Sequence, residues 1–257
     1  MLRLNAYQLK WIAIIGMILN HIVFAWWENL PIGLAIPLYA AGGLTFPIMS
    51  YFVVEGYRHT SNLKKYILRL LIFGIIAVPF HVLTFRMVSL NIMFTIVVGL
   101  ISLVLYDKIK FRPLFWLLFV VLCVLTILPV PFDWSIIGPI VVILTHAIKD
   151  ESKRRVVPSI VAGVFILVIT LITVATFDSL YEYTVDGPGA YREFHLVSLS
   201  FLAGCIVAAV LLKNFNGERG KRMKWLFYGF YPLHLAVLGG VALAMGLVEL
   251  DVLRFWL

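Results

Sequence analysis

The stretch WIAIIGMILNHIVFAW, residues 11–26, decides the fold of this chain. A helix rises about 1.5 Å per residue and the hydrocarbon core of a bilayer is about 30 Å thick, so this run crosses most of a membrane. Near its end it carries two polar residues in succession, Asn20 and His21. Polar side chains at membrane depth must find partners there, which makes this pair the first candidate for a functional site.

The rest of the chain has the same apolar character. Its 257 residues are 62% hydrophobic and only 13% charged, and its mean hydropathy is +1.01. These values exclude an ordinary soluble domain and predict an all-α, multi-pass protein of the cell membrane with one domain, residues 1–257. The net charge of +8 does not indicate nucleic-acid binding, because the basic residues stand between apolar segments and form no continuous stripe.

The length of helix that crosses a bilayer predicts about nine transmembrane helices. The predicted spans are residues 8–26, 32–54, 63–85, 91–106, 113–130, 134–148, 156–177, 195–213 and 225–247. The first span follows basic residues, as a signal peptide does, but it lacks a small-residue cleavage site, so we expect it to be retained. Cys123 and Cys205 lie within apolar segments, far from any metal-binding spacing, so no metal site is predicted.

The distribution of the 21 lysines and arginines predicts the orientation. A cytoplasmic N-terminus places most of them on the inner side, as the positive-inside rule requires, and the C-terminus is then outside. Arg69 falls within the third span. The same orientation puts Asp133 in an outer loop. The longest outer connection, residues 177–193, contains the turn-forming sequence DGPG, and we expect it to lie over an outward opening.

Several polar side chains are predicted at membrane depth. His21 could take a proton from a nucleophile while Asn20 orients it or binds an oxyanion, or both could make interhelical hydrogen bonds. Arg69 lies inside an apolar helix and needs a counter-charge, which either Glu55 or a bound phosphate could supply. Pro232 interrupts the last span and could aim His234 into a cavity, although proline is common in membrane helices.

Cations also gather at the inner boundary of the second and third spans. Arg58, His59 and Lys65 either receive the phosphates of a cytoplasmic ligand or anchor the helices in the membrane. Asn91 and Thr95, four residues apart, share one face of the fourth span.

Four fragments occur in a recognisable order: LKWIAIIGMILNHI, GGLTFPIMSYFVVEGYRHTSNLKKYILRLLIFG, NIMFTIVVGL and YGFYPLHLAVL. Together they resemble the TraX family, which is named for a conjugative pilin acetylase and is similar to the wider transmembrane acyltransferases. The resemblance covers most of residues 1–100 and the last span. Two positions depart from the family pattern, which often has Asp where this chain has Asn20 and Arg where it has Gly43.

The resemblance implies a membrane-embedded acetyltransferase. Acetyl-CoA would bind from the cytoplasm, and a membrane-associated acceptor, an amine or a hydroxyl on a protein N-terminus, a lipid or a glycan, would arrive from outside. His21 matches the first-span histidine of the family and His234 matches the histidine of the FYPLHL motif. The expected catalytic residues are His21, Asn20, His234 and Glu55. The expected acetyl-CoA-binding residues are Arg58, His59, Lys65, Arg69, Asn91 and Thr95.

Two other functions stay open on the residues alone. A small transporter or proton-linked channel would use the same buried histidines and Arg69 as a relay or a substrate site. A structural assembly subunit would explain the spans but leave the buried arginine without a purpose.

Overall fold

The computed structural model describes residues 3–178, 192–222 and 224–248. Across these ranges the chain is helical with no β-strand, which confirms the predicted all-α membrane fold. Most of the connection predicted over an outward opening, and the C-terminal residues 249–257, lie outside the described residues.

The described ranges contain ten α-helices, joined by loops and two short turns of 3-10 and π type. In chain order they are α1 (Ala6–Ala25), α2 (Ile32–Gly42), α3 (Thr45–His59), α4 (Leu63–Phe85), α5 (Ile92–Lys108), α6 (Arg112–Leu125), α7 (Ile137–Ala147), α8 (Glu151–Thr173), α9 (Arg192–Lys213) and α10 (Lys224–Ala244).

Six helical segments of the described chain are long and apolar enough to cross a membrane: Ala6–Ala25, Ile32–His59, Leu63–Phe85, Glu151–Thr176, Glu193–Lys213 and Trp225–Ala244. By contrast, α5, α6 and α7 have 17, 14 and 11 residues. At about 1.5 Å per residue, α6 and α7 reach only about 21 and 17 Å, less than the hydrocarbon thickness. The count of nine spans and the orientation of the termini stay predictions.

Polar residues set where several helices begin. Asn5 and Gln8 form a capping box at the start of α1, with Asn5 Oδ1 accepting from the Gln8 amide at 3.0 Å and Gln8 Oε1 accepting from the Asn5 amide at 2.9 Å. Asn62 caps α4 by accepting from the Lys65 amide at 2.9 Å. These caps satisfy backbone donors that the first turn of a helix would otherwise leave without partners within the chain.

The chain divides into two compact units, a first unit of Met1–Met49 with Arg155–Gly220 and a second unit of Ser50–Arg154 with Lys221–Leu257. The first unit contains α1, α2, α9 and most of α8. The second unit contains α4 to α7, α10 and most of α3. The expectation of a single domain, residues 1–257, stays a prediction.

The second predicted span, residues 32–54, was expected to be one helix, but it is interrupted between α2 and α3. At the interruption the backbone of Gly43 lies directly against α9, where an added Cβ would collide with the Phe201 carbonyl and would lie 2.9 Å from the Gly204 Cα. Such an approach requires glycine on both sides. An arginine at position 43, as in the family pattern, has no room in this packing.

In the second unit, α5 begins beside the middle of α4. The Asn91 side chain donates to the carbonyl of Gly74, the central residue of α4, at 2.8 Å. The Asp133 amide in turn donates to the Leu90 carbonyl at 2.7 Å. The connection between α6 and α7 is thereby held at the residues that open α5, and the expected place of Asp133 in an outer loop stays a prediction.

Candidate functional site

Asn20 and His21 lie on α1 in the first unit, and His21 is only 8% exposed. Asn20 packs so closely on α2 that a Cβ added at Gly42 would lie 2.5 Å from Asn20 Nδ2 and 2.6 Å from its Cγ. The Asn20 Nδ2 atom is buried and has no hydrogen-bond partner in the described part of the chain. A buried amide donor without a partner costs free energy unless something else accepts from it, and it stands next to an imidazole.

A second buried imidazole of the first unit was not identified from the sequence. His195 on α9 is 7% exposed, and its ring contacts Phe194 edge to face at 5.9 Å. In the sequence His195 stands at the start of a predicted span, residues 195–213, whereas His21 stands inside an apolar run. A histidine at the boundary of a span gives a weaker signal than one within it.

Glu55 and His59, near the C-terminal end of α3, form an ionic cluster with Arg154, a partner that the sequence did not indicate. Glu55 Oε1 lies 3.4 Å from Arg154 Nη2, and both side chains are largely shielded from solvent. His59 Nδ1 donates to the Glu55 carbonyl at 2.8 Å and lies 3.8 Å from its carboxylate. Glu55 therefore has its counter-charge in Arg154, and the alternative in which it neutralises Arg69 does not occur.

Beside this pair, three helices of the second unit meet at Asp107. Its carboxylate accepts from the Tyr57 hydroxyl at 2.8 Å and from His146 Nε2 at 2.9 Å. Arg58 Nη2 donates to the His146 carbonyl at 2.9 Å. These bonds join α3, α5 and α7. The Arg58 side chain remains exposed to solvent.

Arg69 faces aromatic rings on α10. Its guanidinium carbon lies 5.4 Å from the centre of the Tyr228 ring, and Phe73 stacks on the same ring at 5.7 Å. No carboxylate of the described residues lies within ion-pair distance, and Arg69 Nε is buried without a hydrogen-bond partner. Arg69 is half-buried, and a cation–π contact offsets only part of the cost of shielding a guanidinium from water, so this position favours a bound anion. The neighbouring Lys65 side chain is exposed.

The tautomer of His234 follows from its hydrogen bond. Its Nδ1 lies 3.0 Å from the Phe230 carbonyl, so Nδ1 is the donor and the lone pair of the neutral ring is on Nε2. The ring is stacked on Phe230 at 5.1 Å and contacts Tyr231 at 5.4 Å. This arrangement gives His234 a defined orientation, but α10 runs through Pro232 without interruption, so the prediction that Pro232 breaks the last span is wrong.

The polar side chains of Asn91 and Thr95 are committed to internal hydrogen bonds. Asn91 accepts from the Met93 amide at 3.1 Å while it donates to α4, and the Thr95 hydroxyl donates to the Asp133 carbonyl. Both residues are fully buried. In this arrangement they hold the connection around Asp133 in place, and the expected contact of either residue with acetyl-CoA stays a prediction.

The structure thus groups the candidate residues in four places of the second unit and one of the first. Glu55, Arg58 and His59 lie together at the C-terminal end of α3, and Arg69 lies against Tyr228. Asn91 and Thr95 lie at the start of α5, where Thr95 contacts Asp133, and His234 contacts Tyr231 on α10. Asn20 and His21 belong to the first unit.

This fold and these residues define a class of protein. It is an all-helical membrane protein with a buried imidazole, an amide without a partner among the described residues, and an arginine without an acidic partner among them. The chain belongs to the TraX family, since the family model described as "TraX protein" matches residues 5–242. It is similar to a protein of Dichelobacter nodosus named "Probable fimbrial assembly protein FimC, serogroup H1", with 28% identity over 253 residues, 91% of this chain and 94% of the relative. No solved structure matches.

Proposed function

We propose that this protein is a cell-membrane acetyltransferase that moves an acetyl group from cytoplasmic acetyl-CoA to an amine or a hydroxyl presented at the outer face. Membership of the TraX family and the fimbrial-assembly name of the relative support a pilin-related acceptor. The observation that carries the proposal is the buried Asn20 amide without a partner beside the buried His21 imidazole. A packing role alone would leave that donor unsatisfied.

The chemistry assigned to the pair is acyl transfer. His21 removes the proton of the acceptor as its nitrogen or oxygen attacks the thioester carbonyl, and the carbon–sulfur bond then breaks to release the coenzyme A thiolate. The proton on His21 passes to that thiolate or to solvent. The Asn20 amide donates to the oxyanion that forms on the attacked carbonyl, where a preorganised donor lowers the barrier.

The phosphates of the thioester substrate are assigned to the second unit. Arg69 is the main candidate, because its guanidinium has no acidic partner among the described residues. The exposed side chains of Arg58 and Lys65 add positive charge at the inner ends of α3 and α4. Arginine can bind a phosphate through two parallel hydrogen bonds, which lysine cannot do.

The proposal is tested with purified protein in nanodiscs, acetyl-CoA and a peptide with a free N-terminus. We expect His21→Gln to lower the transfer rate by at least about 100-fold, the usual contribution of a general base, while thermal unfolding stays close to that of the parent protein. A folded His21→Gln variant that transfers acetyl at the parent rate would refute the assignment.

Binding of coenzyme A is measured separately. We expect Arg69→Ala to weaken it by about tenfold or more, because a bidentate charge-assisted contact is lost. Lys110→Ala is the matched control, since it removes an exposed inner cation outside the proposed site. An equal loss of coenzyme A affinity in both variants would show only a general effect of positive charge. Solute transport in proteoliposomes that contain no coenzyme A would favour a transporter instead.

A further inference from the structure

The connection between α6 and α7, residues 126–136, lies level with the middle of α4; we call this segment the tip. A Cβ added at Gly74, the central residue of α4, would lie 3.2 Å from the Phe94 ring and 3.3 Å from the Met93 Cβ, both in the first turn of α5. The Phe94 ring in turn contacts the Phe132 ring of the tip, with their centres 6.2 Å apart. The middle of α4, the start of α5 and the tip are therefore at one level.

From this level α7 runs beside α5 in the same direction. A Cβ added at Gly99 on α5 would lie 3.3 Å from Val142 Cγ2 on α7, and further along both helices His146 Nε2 lies 2.9 Å from the Asp107 carboxylate. Asp107 also accepts from the Tyr57 hydroxyl, near the end of α3, at 2.8 Å. The ends of α3, α5 and α7 thus meet.

The helix α6 completes a hairpin with α7. Its Phe115 ring, near the start of α6, lies 5.2 Å from the Tyr106 ring near the end of α5, so α6 begins where α5 and α7 end. This is also the level of the start of α4, because a Cβ added at Gly56 on α3 would lie 3.3 Å from the Tyr66 ring on α4. The hairpin therefore extends from the N-terminal end of α4 only to its middle.

The exposed surface of the tip is entirely apolar. Its most exposed large side chain is Leu128, which is 61% exposed. The other exposed residues of the tip are Ile127, Pro129, Pro131 and Ile136. The surface continues along α6 in Leu117, Val120, Val121, Val124 and Leu125. A connection that lies in water normally exposes polar residues, so a continuous apolar surface indicates an apolar partner.

The backbone of the tip is suited to a setting without water. Pro129 and Pro131 have no amide hydrogen. Six amides of the tip donate to backbone carbonyls at 2.7–3.1 Å, those of Thr126, Ile127, Leu128, Phe132, Asp133 and Ser135. The Ser135 hydroxyl donates to the Thr126 carbonyl at 3.1 Å. Unpaired backbone groups are what keep irregular segments out of hydrocarbon, and here most amide donors are satisfied within the chain.

We propose that α6, the tip and α7 form a re-entrant hairpin whose exposed tip residues contact lipid acyl chains inside the membrane. The level of the tip supports this, since α4 is long and apolar enough to cross the membrane and the tip lies beside its middle. The predicted spans 113–130 and 134–148 are then not full crossings. All other segments keep their predicted sides, because the two crossings are lost as a pair. This inference does not depend on the proposed acetyl transfer.

Asp133 is the one charged residue between positions 113 and 145. It is half-buried, and its carboxylate accepts from the Trp134 amide. Placing this group inside the membrane is the main cost of the arrangement, and the hydrogen bond from the backbone offsets part of it.

The test measures where a spin label on the tip lies. The full chain, with Cys123→Ala and Cys205→Ala, is labelled at Leu128→Cys and, separately, at Ile127→Cys, and each variant is placed in nanodiscs. Collisions of the label are measured with oxygen, which concentrates in hydrocarbon, and with a nickel chelate that stays in water. Ile75→Cys, exposed on α4 next to its central residue, is the membrane control, and Lys110→Cys, at the other end of α6, is the water control.

We expect labels at both tip positions to collide more often with oxygen than with the chelate, as at Ile75, and the Lys110 label to show the reverse. Tip labels that meet the chelate as often as the Lys110 label does would place the tip in water and overturn the inference. Labels shielded from both collision partners would also overturn it, because a protein surface such as a second copy of the chain would then cover the tip.

Discussion

Replacing Gly42 by alanine should disrupt the His21 region without substituting any polar residue. The added Cβ would lie 2.5 Å from Asn20 Nδ2 and 2.6 Å from both Asn20 Cβ and Cγ. Because Asn20 Cβ is fixed to the backbone of α1, a rotamer change cannot relieve all three contacts. Ordinary contact begins near 3.4 Å, so α1 and α2 must separate by about 0.9 Å, and overpacking of this kind costs about 1–3 kcal/mol of stability.

The same displacement should lower activity more than stability. A shift of about 1 Å in a catalytic group can reduce a rate by about 100-fold, and the separation moves Asn20 and His21 together. Gly33→Ala is the matched control, because it lies on α2 as well and its added Cβ meets nothing within 4 Å. Helix propensity should make that control neutral or slightly more stable.

The assay compares acetyl transfer and thermal unfolding of both variants in the same detergent. We expect Gly42→Ala to lose most of its transfer activity and to unfold at a lower temperature, while Gly33→Ala matches the parent protein. Parent-like activity in Gly42→Ala would mean that the close packing of Asn20 on α2 has no part in the reaction.

Three further sets of substitutions test the second unit. Asn91→Ala removes the cap of α5 and its bond to α4, so it should lower the free energy of unfolding by about 2–4 kcal/mol, and an unchanged unfolding midpoint would contradict this. Glu55→Gln and Arg154→Gln should each lower the free energy of unfolding by about 1–3 kcal/mol, because each breaks the ion pair. In a double-mutant cycle the double variant should lose less stability than the sum of the two single losses, and simple additivity would contradict the ion pair. Thr95→Val should speed hydrogen exchange at the amides around Asp133, whereas unchanged exchange would show that the hydroxyl does not hold this connection.

The long helices could be predicted from the sequence because apolar runs of sufficient length have few alternatives in a membrane. The predicted spans 8–26 and 63–85 correspond closely to α1 and α4. The interruption at Gly43 could not be predicted, since it depends on the approach of Gly204, which is far away in sequence. Hydropathy also could not distinguish the short helices α6 and α7 from full spans, because length and not composition separates them.

The candidate site was only partly predictable for a similar reason. Single polar residues in apolar runs, such as His21 and Arg69, are visible in the sequence, because their cost in a membrane is a local property. The side chains that contact these residues cannot be identified from the sequence. The pairing of Glu55 with Arg154 and the contact of Arg69 with Tyr228 join residues from distant helices, and they follow only from the packing.

The most direct test of the central claim follows the acetyl group itself. Sealed inverted membrane vesicles that contain the protein are supplied with acetyl-CoA carrying a deuterated acetyl group, and membrane-peptide N-termini are then analysed by mass spectrometry. The account predicts N-termini that gain one labelled acetyl group in vesicles with the parent protein and lack it with His21→Gln. Label that appears equally with both proteins, or with neither, would contradict it.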